Sequence, residues 1–134
     1  MSKIKAAVIG VGYLGQYHAE KYASSEHADL VAVFDTDHKR AEEIAERLNC
    51  LAIGHYHELI GQVDAVSIAT PTPYHHEVAL FFLKNGVHVL VEKPITTTVA
   101  EADELIKIAE QHNALLQVGH LERFNNAVKA INPY

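Results

Sequence analysis

The segment VIGVGYLGQYHAE, residues 8–20, places Gly10, Gly12 and Gly15 in the spacing G-x-G-x-x-G. It follows an apolar run and opens a helical pattern. Asp35 lies 20 residues beyond Gly15, at the end of the next apolar run. That arrangement is what a dinucleotide site needs. Gly10 permits a tight turn. Gly12 leaves backbone N–H groups open to a pyrophosphate, and Gly15 lets the helix pack closely on the strand. The helix N-terminus then offers free N–H groups and a positive dipole end to the phosphates. Tyr13 and Leu14 complete the contacts expected at this end; Tyr13 is expected to pack against the adenosine side or a second domain. Asp35 suits the ribose hydroxyls and repels a 2′-phosphate, so NAD is expected over NADP. Lys39 and Arg40 pull the other way, because a nearby base can hold that phosphate. Asp35 also suits a helix N-cap, a role open to Asp37 as well.

Two further stretches carry polar residues where ligands bind. ATPTPYHHE (69–77) contains Thr70, Pro71 and His75, and EKP (92–94) contains Glu92 and Lys93. Both follow apolar runs, and open α/β sheets bind ligands at the carboxyl ends of their strands. His75 also fits a plain helix start, where polar residues are common.

The elements that must position these residues alternate between two patterns. Short apolar runs at 5–10, 29–35, 51–54, 64–70, 87–93 and 115–119 read as six strands. Helix-period segments lie at 13–24, 37–48, 74–84 and 99–112, with a helical turn at 56–61. Ala41, Ile44, Ala45 and Leu48 form one apolar stripe, and Ala102, Leu105, Ile106 and Ala109 another. Asn85-Gly86 is a helix stop. Thr98 and Glu101 have capping-box spacing. The tail ERFNNAVKAINPY reads as the start of a further helix. Strands alternating with helices give βαβ units and a parallel sheet. The apolar, non-alternating strands agree, because a sheet covered on both sides buries both faces. The expected fold is therefore α/β: a Rossmann doubly wound, parallel six-stranded sheet with helices on both faces.

The bulk numbers narrow the function. The 134 residues are enough for one domain with a real core, and 49% are hydrophobic and 21% charged. The formal charge of −6 and the lack of a basic run speak against nucleic acid. No apolar stretch approaches a membrane span, and the start MSKIKAAVIG lacks a signal-peptide layout. One cysteine, Cys50, excludes an internal disulfide and fits a reducing, cytoplasmic setting. It reads as a small buried residue rather than a nucleophile. Ten histidines invite a metal reading. The pairs His55/His57 and His75/His76 lack i, i+4 spacing and a cysteine cluster, so no metal is expected.

The glycine loop, ATPTPYHHE and EKP together resemble the N-terminal domain of the glucose–fructose oxidoreductase / inositol dehydrogenase / rhizopine catabolism (Gfo/Idh/MocA) family, from about Ile4 to the chain end. The resemblance implies that the loop with Thr70, Pro71 and His75 passes beside the cofactor. It implies that Lys93 reaches both the substrate hydroxyl and the nicotinamide, and that Glu92 helps hold that loop. Pro94 shapes the turn. Oxidising a sugar carbinol needs hydride loss to the nicotinamide and proton loss from the oxygen. A cation there stabilises the developing alkoxide; alternatively the lysine is the base, if burial and the positive ring lower its pKa. VGHLERFNNA (118–127) is most like UDP-N-acetylglucosamine 3-dehydrogenase-like members, acting at the sugar 3-position, although Asn126 stands where those have proline. His120, Glu122 and Arg123 are thus candidate substrate or cofactor contacts; a structural salt bridge fits Glu122 and Arg123 equally.

Members of the family carry a second α/β domain that supplies most of the sugar pocket. The chain, residues 1–134, is accordingly expected to be an NAD(P)-binding Rossmann domain without its C-terminal substrate domain. Such a domain binds dinucleotide and turns over little. The face that meets the missing domain should be apolar and exposed, and a homo-oligomer through it is possible on that ground. The alternative is a non-catalytic NAD-sensing module, since related folds also serve as binding proteins. Lys93 favours the enzyme.

Overall fold

The computed structural model describes residues 3–119. Six strands run β1 (Ile4–Ile9), β2 (Ala28–Phe34), β3 (Leu51–Ala52), β4 (Ala65–Ile68), β5 (His88–Val91) and β6 (Leu116–Val118). Four α-helices separate them: α1 (Tyr13–Ser24), α2 (His38–Leu48), α3 (His75–Lys84) and α4 (Val99–Gln111). The strands pair in parallel in the order β3-β2-β1-β4-β5-β6. The chain therefore winds outward from β1 twice, in opposite directions. Crossovers of one hand put α1 and α2 on one face and α3 and α4 on the other. The direction switches between β1 and β4, so the loops after those two strands face each other across the sheet's carboxyl edge.

Local chemistry sets the helix ends. Asp37, not Asp35, caps α2, its carboxylate accepting from the Arg40 N–H, and Asn49 ends it in the left-handed region at φ 58°. Thr98 Oγ1 accepts from the Glu101 N–H at 3.1 Å, and the Glu101 carboxylate accepts from the Thr97 hydroxyl at 2.8 Å. Residues Thr72–Tyr74, with Pro73 among them, form a tighter 3-10 turn, so α3 starts one residue later than its apolar pattern suggests.

Two apolar cores flank the sheet. Tyr22, Ala41 and Ile44 pack on Val8 and Val33 beneath α1 and α2. Phe82, Leu83 and Leu105 pack on Val66, Ile68 and Val89 beneath α3 and α4. Each fully buried side chain of this size contributes about 1.5–3 kcal/mol through removal from water. One stripe is corrected. On α4, Leu105 and Ala109 face the core with Ile108, whereas Ile106 is 47% exposed. Residues 105 and 106 lie about 100° apart around a helix, and the packing against α3 selects the phase. The third strand is also shorter than its apolar run: Leu51 and Ala52 pair with Ala32 and Val33, and the Ile53 N–H still donates to the Val33 carbonyl at 3.1 Å before the chain bends at Gly54.

Candidate functional site

The glycine loop joins β1 to α1 at the switch point. Gly10 adopts φ +92°, and a Cβ there would lie 2.9 Å from the backbone of Ala69 and Thr70. Only glycine meets both demands. A Cβ on Gly15 would lie 1.7 Å from the Gly10 carbonyl oxygen. Gly15 is thus required by the loop that precedes its own helix. Gly12 differs: a Cβ would meet only the Arg40 Nη1 atom, at 3.9 Å. Nothing within the described chain requires glycine there, which fits a backbone kept bare for a ligand. Gly12 is also the N-cap of α1, with no side chain capping the first turn and no acid within it. Among the described residues no side chain caps the free N–H groups of this turn, which leaves them and the positive dipole end for a ligand.

Asp35, just after β2, reaches back to this loop. One carboxylate oxygen accepts from the Val11 N–H at 2.8 Å and the other from the Asp37 N–H at 2.9 Å. Arg40 sits between two carboxylates, 3.9 Å from Asp35 and 3.7 Å from Asp37. Across the switch point, the Thr70 hydroxyl is buried without a hydrogen-bond partner among the described residues. A bare glycine, an uncapped helix start, an acid at the end of β2 and an orphaned hydroxyl together fit a dinucleotide. Tyr13 is 76% exposed, stacked edge-on against Tyr17, and Leu14 beside it is exposed too.

His75 begins α3 and is buried. Its Nε2 faces the Thr70 carbonyl at 2.8 Å, and its Nδ1 faces the carbonyls of Pro94 and Ile95 at 3.0 and 3.2 Å. The ring therefore ties the loop after β4 to the loop after β5, and both nitrogens are engaged with backbone. Pro71 lies exposed in the first of these loops, and Lys93 is exposed in the second, joined to Pro94 by a cis peptide bond.

Glu92 faces inward, whereas its neighbour Lys93 is exposed. It is buried, and its Oε1 accepts from His18 Nε2 at 2.5 Å. His18 Nδ1 lies 3.2 Å from Ser67 Oγ, and Ser67 Oγ lies 2.7 Å from the Tyr22 hydroxyl. Burial pushes the Tyr22 phenol up to about 12, against a smaller lowering by Ser67. The phenol therefore stays protonated. Tyr22, Ser67, His18 and Glu92 form one continuous buried network, in which the His18 Nε2–H donates to the Glu92 carboxylate. Sequence reasoning singled out Glu92 but missed His18, Ser67 and Tyr22. A signal existed. His18 lies on the same apolar face of α1 as Ala19 and Tyr22, and a polar group on such a face needs a buried partner.

His120, Glu122, Arg123 and the tail helix lie outside the described residues. Burial pushes the Cys50 thiol up to about 11, so it stays protonated. His55 and His57 belong to an aromatic cluster with Tyr56, Phe34 and Phe81. His76 pairs with Glu104 and Glu101 on α4. Among the described residues no helix is long and apolar enough to cross a membrane.

Comparison with known proteins bears on this geometry. The family described as "Oxidoreductase family, NAD-binding Rossmann fold" (Gfo/Idh/MocA) matches residues 4–120. The UDP-N-acetylglucosamine 3-dehydrogenase of Acidithiobacillus ferrooxidans is 43% identical over 129 residues, covering 96% of this chain and 41% of that enzyme. Its crystal structure superposes with a TM-score of 0.86 at 42% identity, over 99% of this chain and 42% of that one. GenD2 from gentamicin A biosynthesis, solved in complex with NAD, gives a TM-score of 0.86 at 29% identity over 89% of this chain and 35% of its own. Inositol 2-dehydrogenase 1 of Mycolicibacterium vanbaalenii is 38% identical over 98% of this chain and 40% of its own. The chain thus spans about two fifths of the length of its curated relatives.

Proposed function

The chain belongs to the Gfo/Idh/MocA oxidoreductase family, and from that premise we propose that it is the cofactor-binding part of a dehydrogenase acting on a sugar or nucleotide-sugar carbinol. The observation that carries the reading is Lys93, exposed at the carboxyl edge of β5 and bracketed by the buried side chains of Glu92 and His75. Bound NAD supplies the hydride acceptor. The chain's own residues do the rest. Gly12 and the first turn of α1 receive the pyrophosphate, and Asp35 receives the adenosine ribose. Lys93 places its ammonium against the reacting oxygen and stabilises the negative charge that develops there. Its exposure suits that role better than that of a buried base.

NAD is favoured over NADP because Arg40 already lies between Asp35 and Asp37. Three charges there sum to one negative, which repels a 2′-phosphate. The substrate reading follows the similarity to the UDP-N-acetylglucosamine 3-dehydrogenase and the segment bearing His120, Glu122 and Arg123. Sugar binding is completed by a second domain. In support, Tyr13, Leu14, Tyr74 and Val99 stand exposed at or beside the N-terminal ends of α1, α3 and α4, around the site. Such a rim is apolar surface awaiting cover, by that domain or by a second copy. The single cysteine, Cys50, fits a reducing, cytoplasmic setting.

Fluorescence titration of the chain with NADH and, in parallel, NADPH tests the reading. We expect NADH to bind at least tenfold more tightly. Equal affinity removes Asp35 as the selector, and no binding of either removes the cofactor assignment for this domain alone.

A further inference from the structure

Lys93 is a flexible side chain on an exposed loop, yet its proposed task demands a fixed direction. What sets that direction is the residue before it. Glu92 puts a carboxylate into the protein, 6% exposed, beneath α1. A buried carboxylate is tolerable only with a strong partner, and His18 supplies one at 2.5 Å from the second turn of the glycine helix. Ser67 and Tyr22 close the far side of the imidazole, so the ring cannot turn away without breaking the chain. We propose that His18 is a positioning residue: through Glu92 it locks the lysine loop to the helix that receives the dinucleotide phosphates, so that Lys93 and the cofactor share one rigid frame. The inference rests on the reading of Lys93 given above.

The pair is separated in sequence by 74 residues and joins two elements that do not hydrogen-bond through their backbones. His75 holds the same loop two and three residues later, at Pro94 and Ile95. That second attachment fixes the loop's far end to α3; at its near end the Glu92 N–H donates to the Ile68 carbonyl at 3.3 Å, and His18 holds the Glu92 carboxylate.

The test compares His18→Leu, His18→Gln and the double variant His18→Leu/Glu92→Leu in the complete enzyme, with Lys93→Ala alongside. Glutamine keeps an N–H for the carboxylate. The double variant removes the unpaired charge and lets the site pack as hydrocarbon, which tends to restore stability. We expect kcat to fall at least tenfold in His18→Leu with KM for NAD changed less than twofold. His18→Gln should recover most of the rate. The double variant should recover its melting temperature and stay slow. If its kcat returns together with its melting temperature, the pair is merely structural and the inference fails. It fails too if KM for NAD rises in step with the loss of rate, since the pair then shapes the cofactor cradle. If Lys93→Ala is fully active, the lysine reading itself is wrong. The anchor is then judged by amide hydrogen exchange at residues 92–96, leaving out Pro94. At least tenfold faster exchange in the double variant supports it, and unchanged exchange overturns it.

Discussion

The glycine loop and the lysine loop occupy the same edge of the sheet, but they are shaped by opposite means. The glycine loop is defined by what its residues lack. Gly10 and Gly15 admit backbone at distances that any Cβ would forbid, and Gly12 leaves a surface bare. The lysine loop is defined by side chains that come from elsewhere. His18 from α1 holds Glu92, and His75 from α3 holds Pro94 and Ile95. The first device is compact in sequence: its three glycines lie within six residues of one another, although the backbone that Gly10 admits, at Ala69 and Thr70, comes from across the switch point. The second depends on contacts 19 to 74 residues apart. A cradle for a common phosphate can be made of backbone. A lysine that must meet one particular hydroxyl needs anchors.

The comparison breaks most violently at Gly15. Gly15→Ala drives a methyl into the Gly10 carbonyl, and we expect a loss of about 4 kcal/mol or more, in the range that only severe steric or burial defects reach. Urea denaturation measures it. A loss under about 1 kcal/mol would mean that the loop shifts freely and that the glycine is not required.

Asp35→Ala acts on the same loop through a side chain. It leaves the Val11 N–H without its acceptor, which costs about 1–3 kcal/mol. Tighter NADPH binding relative to NADH should accompany it. An unchanged preference in the paired titrations would assign selectivity elsewhere, with Arg40 the next residue to vary.

On the lysine side, Tyr22→Phe removes the phenol hydroxyl at the end of the buried network. Ser67 and His18 remain paired, so the expected cost is about 1 kcal/mol. Thermal melts should show it as a drop of a few degrees. A drop as large as that of His18→Leu would place the weight of the network on Tyr22 instead of on the imidazole–carboxylate pair.

Gly12→Ala has the smallest effect on the fold and sharpens the contrast most. Among the described residues its new methyl meets only the Arg40 Nη1 atom, at an ordinary 3.9 Å contact, so stability should stay within about 1 kcal/mol of the parent. NADH affinity should fall at least tenfold, because the methyl occupies the phosphate approach. If stability collapses instead, Gly12 belongs with Gly10 and Gly15 as a packing residue.

Much of the fold was legible because its signals are local. Apolar runs, Asp37 as a cap, the Asn85-Gly86 stop and Thr98 at the start of α4 each act within one element. The phase of α4 was not legible. Ile106 and Ile108 are equally apolar, and only the packing of α4 against α3 and the sheet tells which faces inward. The short β3 was not legible either: Ile53 is as apolar as its neighbours and its N–H still reaches the Val33 carbonyl, but the paired ladder with β2 covers Leu51 and Ala52 alone.

The same division runs through the site. The sequence alone determined the glycine turn, the acid that follows it and the positions of Lys93 and Glu92 at a strand end, because backbone freedom and strand periodicity are written in neighbouring residues. Only the tertiary structure decided what those residues touch. It turned His75 into a strut between two loops, gave Asp35 the Val11 amide to hold, and brought His18 to Glu92. The physical reason is burial. A polar side chain sealed in the core must find its partner wherever the fold supplies one, and no spacing along the chain records where that is.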